Sequence, residues 1–305
     1  MRVREAQLGR DVAKGGGGAR ARAAALLELT KPGITRLVLM TTGAGYFLAD
    51  PGGVEVLRML HTLLGTALVA SGTNALNQWW ERGADGRMRR TSRRPLPSGR
   101  LGAGEALAFS LGISVVGLAY LLVLVDALTA FLVFLSLTSY VLVYTPLKRR
   151  HWVSTVVGSV PGALPILAGW TAAGGGLTEG GVSLFLLLAI WQLPHFYALA
   201  WIYREDYRRG GFRMVSLGDE TGERTGRHIL FSALVLLPVS LLPARYGVVG
   251  GLYVAGAVAL GVAFLFLGAR VWRRPTEQHA WGLFIGSVVY LPVILLLMVA
   301  DRLVL

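Results

Sequence analysis

Nine apolar stretches dominate this chain, each of roughly 17 to 25 residues, the length a helix needs to cross a bilayer. They lie near 33–49, 57–79, 103–125, 127–145, 152–172, 180–201, 229–247, 249–270 and 280–300. Hydrocarbon offers no water to backbone N–H and C=O groups, so a spanning segment must bond to itself as a helix or close into a barrel. Continuous apolar runs, rather than short segments of alternating polarity, select the helix. The expected fold class is therefore all-α, a polytopic membrane protein of nine transmembrane helices. The 40 glycines suit close helix packing in lipid, and the lack of cysteine excludes disulfides and thiolate metal sites.

A formal net charge of +13 raises the question of a nucleic acid partner, and the distribution of charge answers it. With nine spans, all 30 Lys and Arg except Arg58, Arg245 and Arg302 fall on one side. That is the signature of membrane orientation, and it puts the N-terminus in the cytoplasm and the C-terminus outside, as in a bacterial inner membrane. Residues 1–26 include Gly15 to Gly18 and an Arg/Ala run without an apolar core or cleavage site, so they read as a flexible basic cytoplasmic tail. Residues 27–305 then form a single transmembrane domain.

Asn77-x-x-x-Glu81-x-x-x-Asp85 closes the second span and runs into Arg87, Arg89, Arg90, Arg93 and Arg94. Residues four apart share a helix face, so the amide and both carboxylates line up. Oxygen ligands suit a hard cation such as Mg²⁺, and arginines suit phosphate. Carboxylates at the edge of a membrane span are costly and mark function more often than an ordinary helix end. A second polar group follows span six: Pro194-His195-Phe196-Tyr197, then Tyr203-Arg204-Glu205-Asp206. On one continuous helix His195 and Asp206 would share a face. Two acidic patches facing each other can hold metal between themselves and a diphosphate. Allylic diphosphates ionise when metal and cationic side chains neutralise the leaving group, which requires a charge clamp and a dry pocket. Trp79, Trp80, Tyr197, Trp201 and Tyr203 are candidate π-faces for the allylic cation, although aromatics are common at any membrane interface.

Extended to Met88, Arg90, Thr91 and Arg94-Pro95-Leu96, the first motif resembles the signature of the UbiA superfamily of intramembrane prenyltransferases. Leu29-Thr30-Lys31-Pro32, Tyr144-Thr145-Pro146-Leu147-Lys148-Arg149 and Pro194-His195-Phe196-Tyr197 through Asp206-Tyr207 narrow it to the branch that farnesylates heme. The resemblance implies a helix bundle around a central cavity. It also implies transfer of a farnesyl group from farnesyl diphosphate to a vinyl group of heme B, with Mg²⁺ as cofactor. By the same resemblance Asn77, Glu81, Asp85 and Asp206 are the metal ligands, and His195 is a heme-side catalytic candidate. Lys31, Arg90, Arg94, Lys148, Arg149 and Tyr203 form the substrate-binding set. A heme A synthase or an oxidase assembly protein is the implied protein partner. Glu81 stands where Asp is commoner, and Glu205-Asp206-Tyr207 lacks the paired aspartates of quinone-type relatives. The polar stretch from Gly218 to Arg227 is a candidate lid.

Two other readings compete. One is a prenyltransferase acting on an aromatic acid or a quinone precursor, disfavoured by the second acidic region and by Pro194-His195-Phe196. The other is a secondary transporter, whose ionisable groups would sit near the bilayer midplane rather than cluster at one interface.

Overall fold

A computed structural model describes residues 18–49 and 53–304 of the chain. Helices succeed one another with short connections: α1 (18–29), α2 (Pro32–Ala49), α3 (Val56–Asp85), α4 (Ala103–Leu124) and α5 (Ala127–Thr138). A π-helical turn, Ser139–Tyr144, leads from α5 into α6 (Thr145–Leu147), followed by α7 (Ser154–Ala172), α8 (Glu179–Ile202) and α9 (Arg204–Gly210). The bundle closes with α10 (Glu223–Ser240), α11 (Leu242–Arg245), α12 (Gly251–Arg273) and α13 (Glu277–Val304). Among the described residues there is no strand.

Among the described residues, seven helices are long and apolar enough to cross a membrane: α4, the α5–α6 rod, α7, α8, α10–α11, α12 and α13. Long helices also occupy the first two expected spans, but α2 and α3 fall short of that apolarity. The reason is chemical: they bury Thr35, Thr41, Thr42, Thr62, Thr66, Asn74, Asn77, Gln78, Glu81 and Asp85 inside the bundle. With 30 residues, α3 is about 45 Å long and outruns the hydrocarbon. The sequence places the second span near 57–79. The helix instead continues through Asp85 and is closed by Gly86, so Asp85 is held on the same helix as Asn77 and Glu81.

The N-terminal expectation needs a similar correction. Residues 1–17 lie outside the described residues, but 18–26, expected to be flexible, belong to α1. Ala25 and Leu29 bury one side of that helix, and Arg22–Glu105 and Arg100–Glu28 ion pairs tie it to the α3–α4 end of the bundle. The opposite end has its own polar ties. Arg58 donates to the Ala172 carbonyl (2.7 Å) and pairs with Asp126 (3.2 Å), which also caps α5 through the Thr129 N–H. Asp301 accepts from Gly250 and Tyr253 N–H at the start of α12, where the helix dipole favours a carboxylate.

α2 crosses α7 so closely that glycine is required on both sides. A Cβ on Gly45 would sit 2.0 Å from the Ile166 carbonyl oxygen, and one on Gly169 would sit 1.9 Å from that of Thr42. Gly169→Ala is therefore expected to force the helices apart and cost about 1–3 kcal/mol of stability. A thermal melt in detergent checks this, and an unchanged midpoint would mean that the crossing can relax freely.

α8 does not run on into the second acidic region. Its last-turn carbonyls are taken by side chains: Ser216 Oγ donates to Ala200 (2.6 Å) and Arg204 to Trp201 (2.9 Å). The chain then breaks at Tyr203 (φ −102°, ψ 24°) and restarts as α9. His195 and Asp206 thus lie on different helices, contrary to the single-face expectation. The candidate lid is pinned as well. Asp219 accepts from the Thr225 N–H and hydroxyl, both at 2.7 Å, and Arg224 reaches the Val215 and Leu217 carbonyls.

Candidate active site

A cavity of about 410 Å³ opens inside the bundle, polar at the basic end and apolar deeper in. The polar end is built on α3, where four-residue spacing aligns Asn77, Glu81 and Asp85 along one buried face. Each meets a cation from a different part of the chain. Lys31 Nζ donates to Asn77 Oδ1 (3.2 Å), Lys148 Nζ lies 2.5 Å from Glu81 Oε1, and Arg94 Nη1 reaches both oxygens of Asp85 (3.0 and 2.9 Å). The Lys148–Glu81 contact is an ion pair by distance rather than an aligned hydrogen bond. All six side chains line the cavity.

Local structure holds these groups in place. Lys31 has a positive φ (50°), rare for a residue with a side chain, at the turn between α1 and α2. Asn77 Nδ2 donates to Thr145 Oγ1, whose own proton goes to the Tyr140 carbonyl (2.8 Å) across the π turn. Pro146 has no N–H to continue the α ladder just there, and π turns of this kind recur at functional sites. Lys148 Nζ also sits 4.8 Å from the Tyr144 ring centre and 5.2 Å from that of Phe212.

Both lysines have shifted acidity. Burial, joined by the charge of Arg94, pushes the Lys31 ammonium down to about 7 against the pull of Glu81. Lys31 retains some exposed surface and lines the cavity. Burial pulls hardest on Lys148, downward, but the Glu81 carboxylate together with Tyr140 and Tyr207 holds the ammonium above the ordinary lysine value.

The other expected site residues divide. Arg90 is exposed at the cavity mouth, its guanidinium 4.7 Å from the Tyr203 ring centre. His195 lines the deeper wall. Asp206, expected as a metal ligand, does not line the cavity: its two oxygens accept the backbone N–H groups of Arg89 (3.1 Å) and Arg90 (3.2 Å). It clamps the arginine loop instead of adding an oxygen to the acidic face. Arg149 is exposed and Tyr203 packs against the Arg90 guanidinium, and neither is among the residues that line the cavity. The expected π-faces are likewise displaced. Trp79, Trp80, Tyr197, Trp201 and Tyr203 lie outside the lining, which uses Tyr140, Tyr144, Trp191, Phe196, Tyr207 and Phe212. Tyr140 and Tyr144 carried a usable signal, a four-residue spacing leading straight into Thr145-Pro146-Leu147-Lys148.

The comparison with known families bears on this geometry. Residues 38–294 match the model of the UbiA prenyltransferase family. The chain belongs to that family. It is 49% identical over 285 residues to the protoheme IX farnesyltransferase of Solibacter usitatus (strain Ellin6076), covering 90% of this chain and 98% of that one. The protoheme IX farnesyltransferase of Myxococcus xanthus (strain DK1622) is 43% identical, with 91% and 94% covered. Among solved structures, a digeranylgeranylglyceryl phosphate synthase superposes with a TM-score of 0.78 at 18% identity over 93% of this chain and 99% of that one. A UbiA homolog from Archaeoglobus fulgidus bound to GPP and Mg²⁺ gives 0.66 at 14% identity over 91% and 99%. These two carry the likeness of fold. This UbiA-family chain is a multi-pass membrane prenyltransferase, with its acidic helix face, three cations and apolar cavity in one continuous site.

Proposed function

We propose that this chain transfers a farnesyl group from farnesyl diphosphate to a vinyl group of heme B, making heme O, a reading supported by relatives that are named protoheme IX farnesyltransferase. The observation that carries the reading is the polarity of the cavity. Carboxylates and cations crowd one end, while Tyr140, Trp191, Phe196, Leu188, Val133 and Leu291 line the rest. A diphosphate matches the first region and an isoprenoid tail the second.

The acidic face suits Mg²⁺. Two carboxylates and an amide oxygen on one helix face are hard donors, yet among the described residues no three acidic or imidazole groups converge on a point. Mg²⁺ is commonly held in this way, by one or two carboxylates with substrate phosphates and water completing the shell. Asn77, Glu81 and Asp85 would hold it, and bound there it would neutralise charge on the leaving diphosphate. The cations now paired with those oxygens are the ones available to the phosphates: Lys31, Lys148 and Arg94, with Arg90 at the mouth. The protein's part is then to bind the diphosphate by charge, keep water from the allylic carbon with apolar walls, and offer the rings of Tyr140, Tyr144 and Trp191 to the developing cation. In the membrane, α2 and α3 complete nine spans, the basic end faces the cytoplasm of a bacterial cell and the C-terminus lies outside. This orientation rests on the positive-inside distribution of Lys and Arg.

Arg94→Ala tests the donor site. It is expected to raise the apparent KM for farnesyl diphosphate by roughly 10-fold or more, the loss of a charge-assisted contact, with little change in the KM for heme. Equal effects on both substrates would make Arg94 a structural residue and break the link between the acidic face and the diphosphate.

A further inference from the structure

His195 lines the cavity, and among the described residues its recorded partners are a hydroxyl and aromatic rings, with no carboxylate or cation. Its Nδ1 lies 2.7 Å from Ser287 Oγ on α13, and that oxygen lies 2.6 Å from the Phe284 carbonyl oxygen. A hydroxyl has one proton to give. Two oxygens at 2.6 Å need a proton between them, so the Ser287 proton goes to Phe284. Ser287 Oγ must then accept from His195, which puts the imidazole proton on Nδ1 and leaves Nε2 with a bare lone pair. The ring is also fixed in orientation. Trp191 stacks on it (5.4 Å, 28°), held by its own indole N–H bond to the Ser287 carbonyl (3.1 Å), and Phe284 covers it at 4.9 Å. With Nδ1 tied and the faces covered, the Nε2 edge is the part of the ring left for the cavity. Among the described residues nothing bonds to Nε2.

We propose that His195 is an axial ligand to the iron of the heme acceptor, through Nε2, with Ser287 as the residue that fixes its tautomer. The proposal rests on the heme reading given above. A neutral imidazole whose other nitrogen donates to an oxygen is the form in which histidine binds metals. Its lone pair can bond to iron with no proton released. The rival role, a general base, would create an imidazolium in apolar surroundings, and such a charge needs a carboxylate partner. Here the ring meets a hydroxyl, an indole and two phenyl rings. His195 lies seven residues before the end of α8, about 10 Å below the basic end. Ligation there holds the porphyrin in the apolar region, beneath the diphosphate groups.

The test is a titration of the purified full-length chain in detergent with hemin, followed by Soret absorption and EPR. The wild type is expected to give the spectrum of a histidine-ligated heme. His195→Ala and His195→Leu should both lose it, Leu separating ligation from packing because it keeps apolar bulk and carries no donor atom. Added imidazole should restore the band in the Ala variant. Ser287→Ala should keep the band but weaken binding about 10-fold. A wild-type spectrum in both His195 variants would overturn the proposal, as would loss of turnover with the spectrum unchanged, the mark of a base. Failure of the wild type to bind hemin at all would instead overturn the heme reading itself.

Discussion

Asp85→Asn is expected to abolish turnover while leaving the bundle folded. Asp85 is 1% exposed and both its oxygens face the Arg94 guanidinium, so the side chain is enclosed and pre-oriented. Asparagine has nearly the same shape and keeps one oxygen for Arg94. What it loses is the negative charge, on which a metal-bound diphosphate depends. Electrostatic groups of this kind contribute roughly 10²–10³-fold to rate, and a metal ligand should lie at the upper end or beyond. Stability should suffer less, since Arg94 is partly exposed and can turn to water. Turnover and thermal midpoint measured on the same preparation check both halves. Activity near the wild-type level in Asp85→Asn would remove the metal assignment from α3.

Lys148→Met should have the larger effect on the fold. Glu81 is 4% exposed and Lys148 is the cation against it, so the variant buries a carboxylate without its partner. Breaking a buried pair from one side costs about 3–5 kcal/mol, much of it from the orphaned charge. Removing the charge as well, in Glu81→Gln/Lys148→Met, should recover most of the lost midpoint. It should not recover turnover, because both the diphosphate cation and the metal carboxylate are then gone. The two substitutions must therefore couple strongly in stability, as contacting residues do. Additive effects on the midpoint would mean that the 2.5 Å pair is not what holds this end of the cavity together.

Much of this was legible before any coordinates. The long apolar runs define helices because lipid leaves the backbone no alternative, and their ends fall within a few residues of those observed for most spans. Asn77, Glu81 and Asp85 were legible because four-residue spacing is a property of the helix itself. Lys148 was readable only through the resemblance, since it faces Glu81 across the bundle. The differences between the sequence reading and the structure share a cause. Asp206 looked like a ligand because an acid beyond a span is conspicuous, but its partners are two backbone N–H groups more than a hundred residues away in the chain. The break at Tyr203 depends on Ser216 and Arg204 capturing the α8 carbonyls, which no local pattern announces. Trp79 and Trp80 could not be told from Tyr140 or Trp191 by type, because an aromatic at a membrane interface and one in a cavity have the same composition. The burial of polar groups that kept α2 and α3 below the apolarity of the other seven helices reflects the site they form.

The most direct test of the central claim is mass spectrometry of heme extracted from membranes containing this chain, supplied with heme B, farnesyl diphosphate and Mg²⁺. A heme O mass that appears with all three and disappears with EDTA is the expected result. An unchanged heme B pool, with prenylation of an added aromatic acid under the same conditions, would contradict it and assign the cavity to a different acceptor.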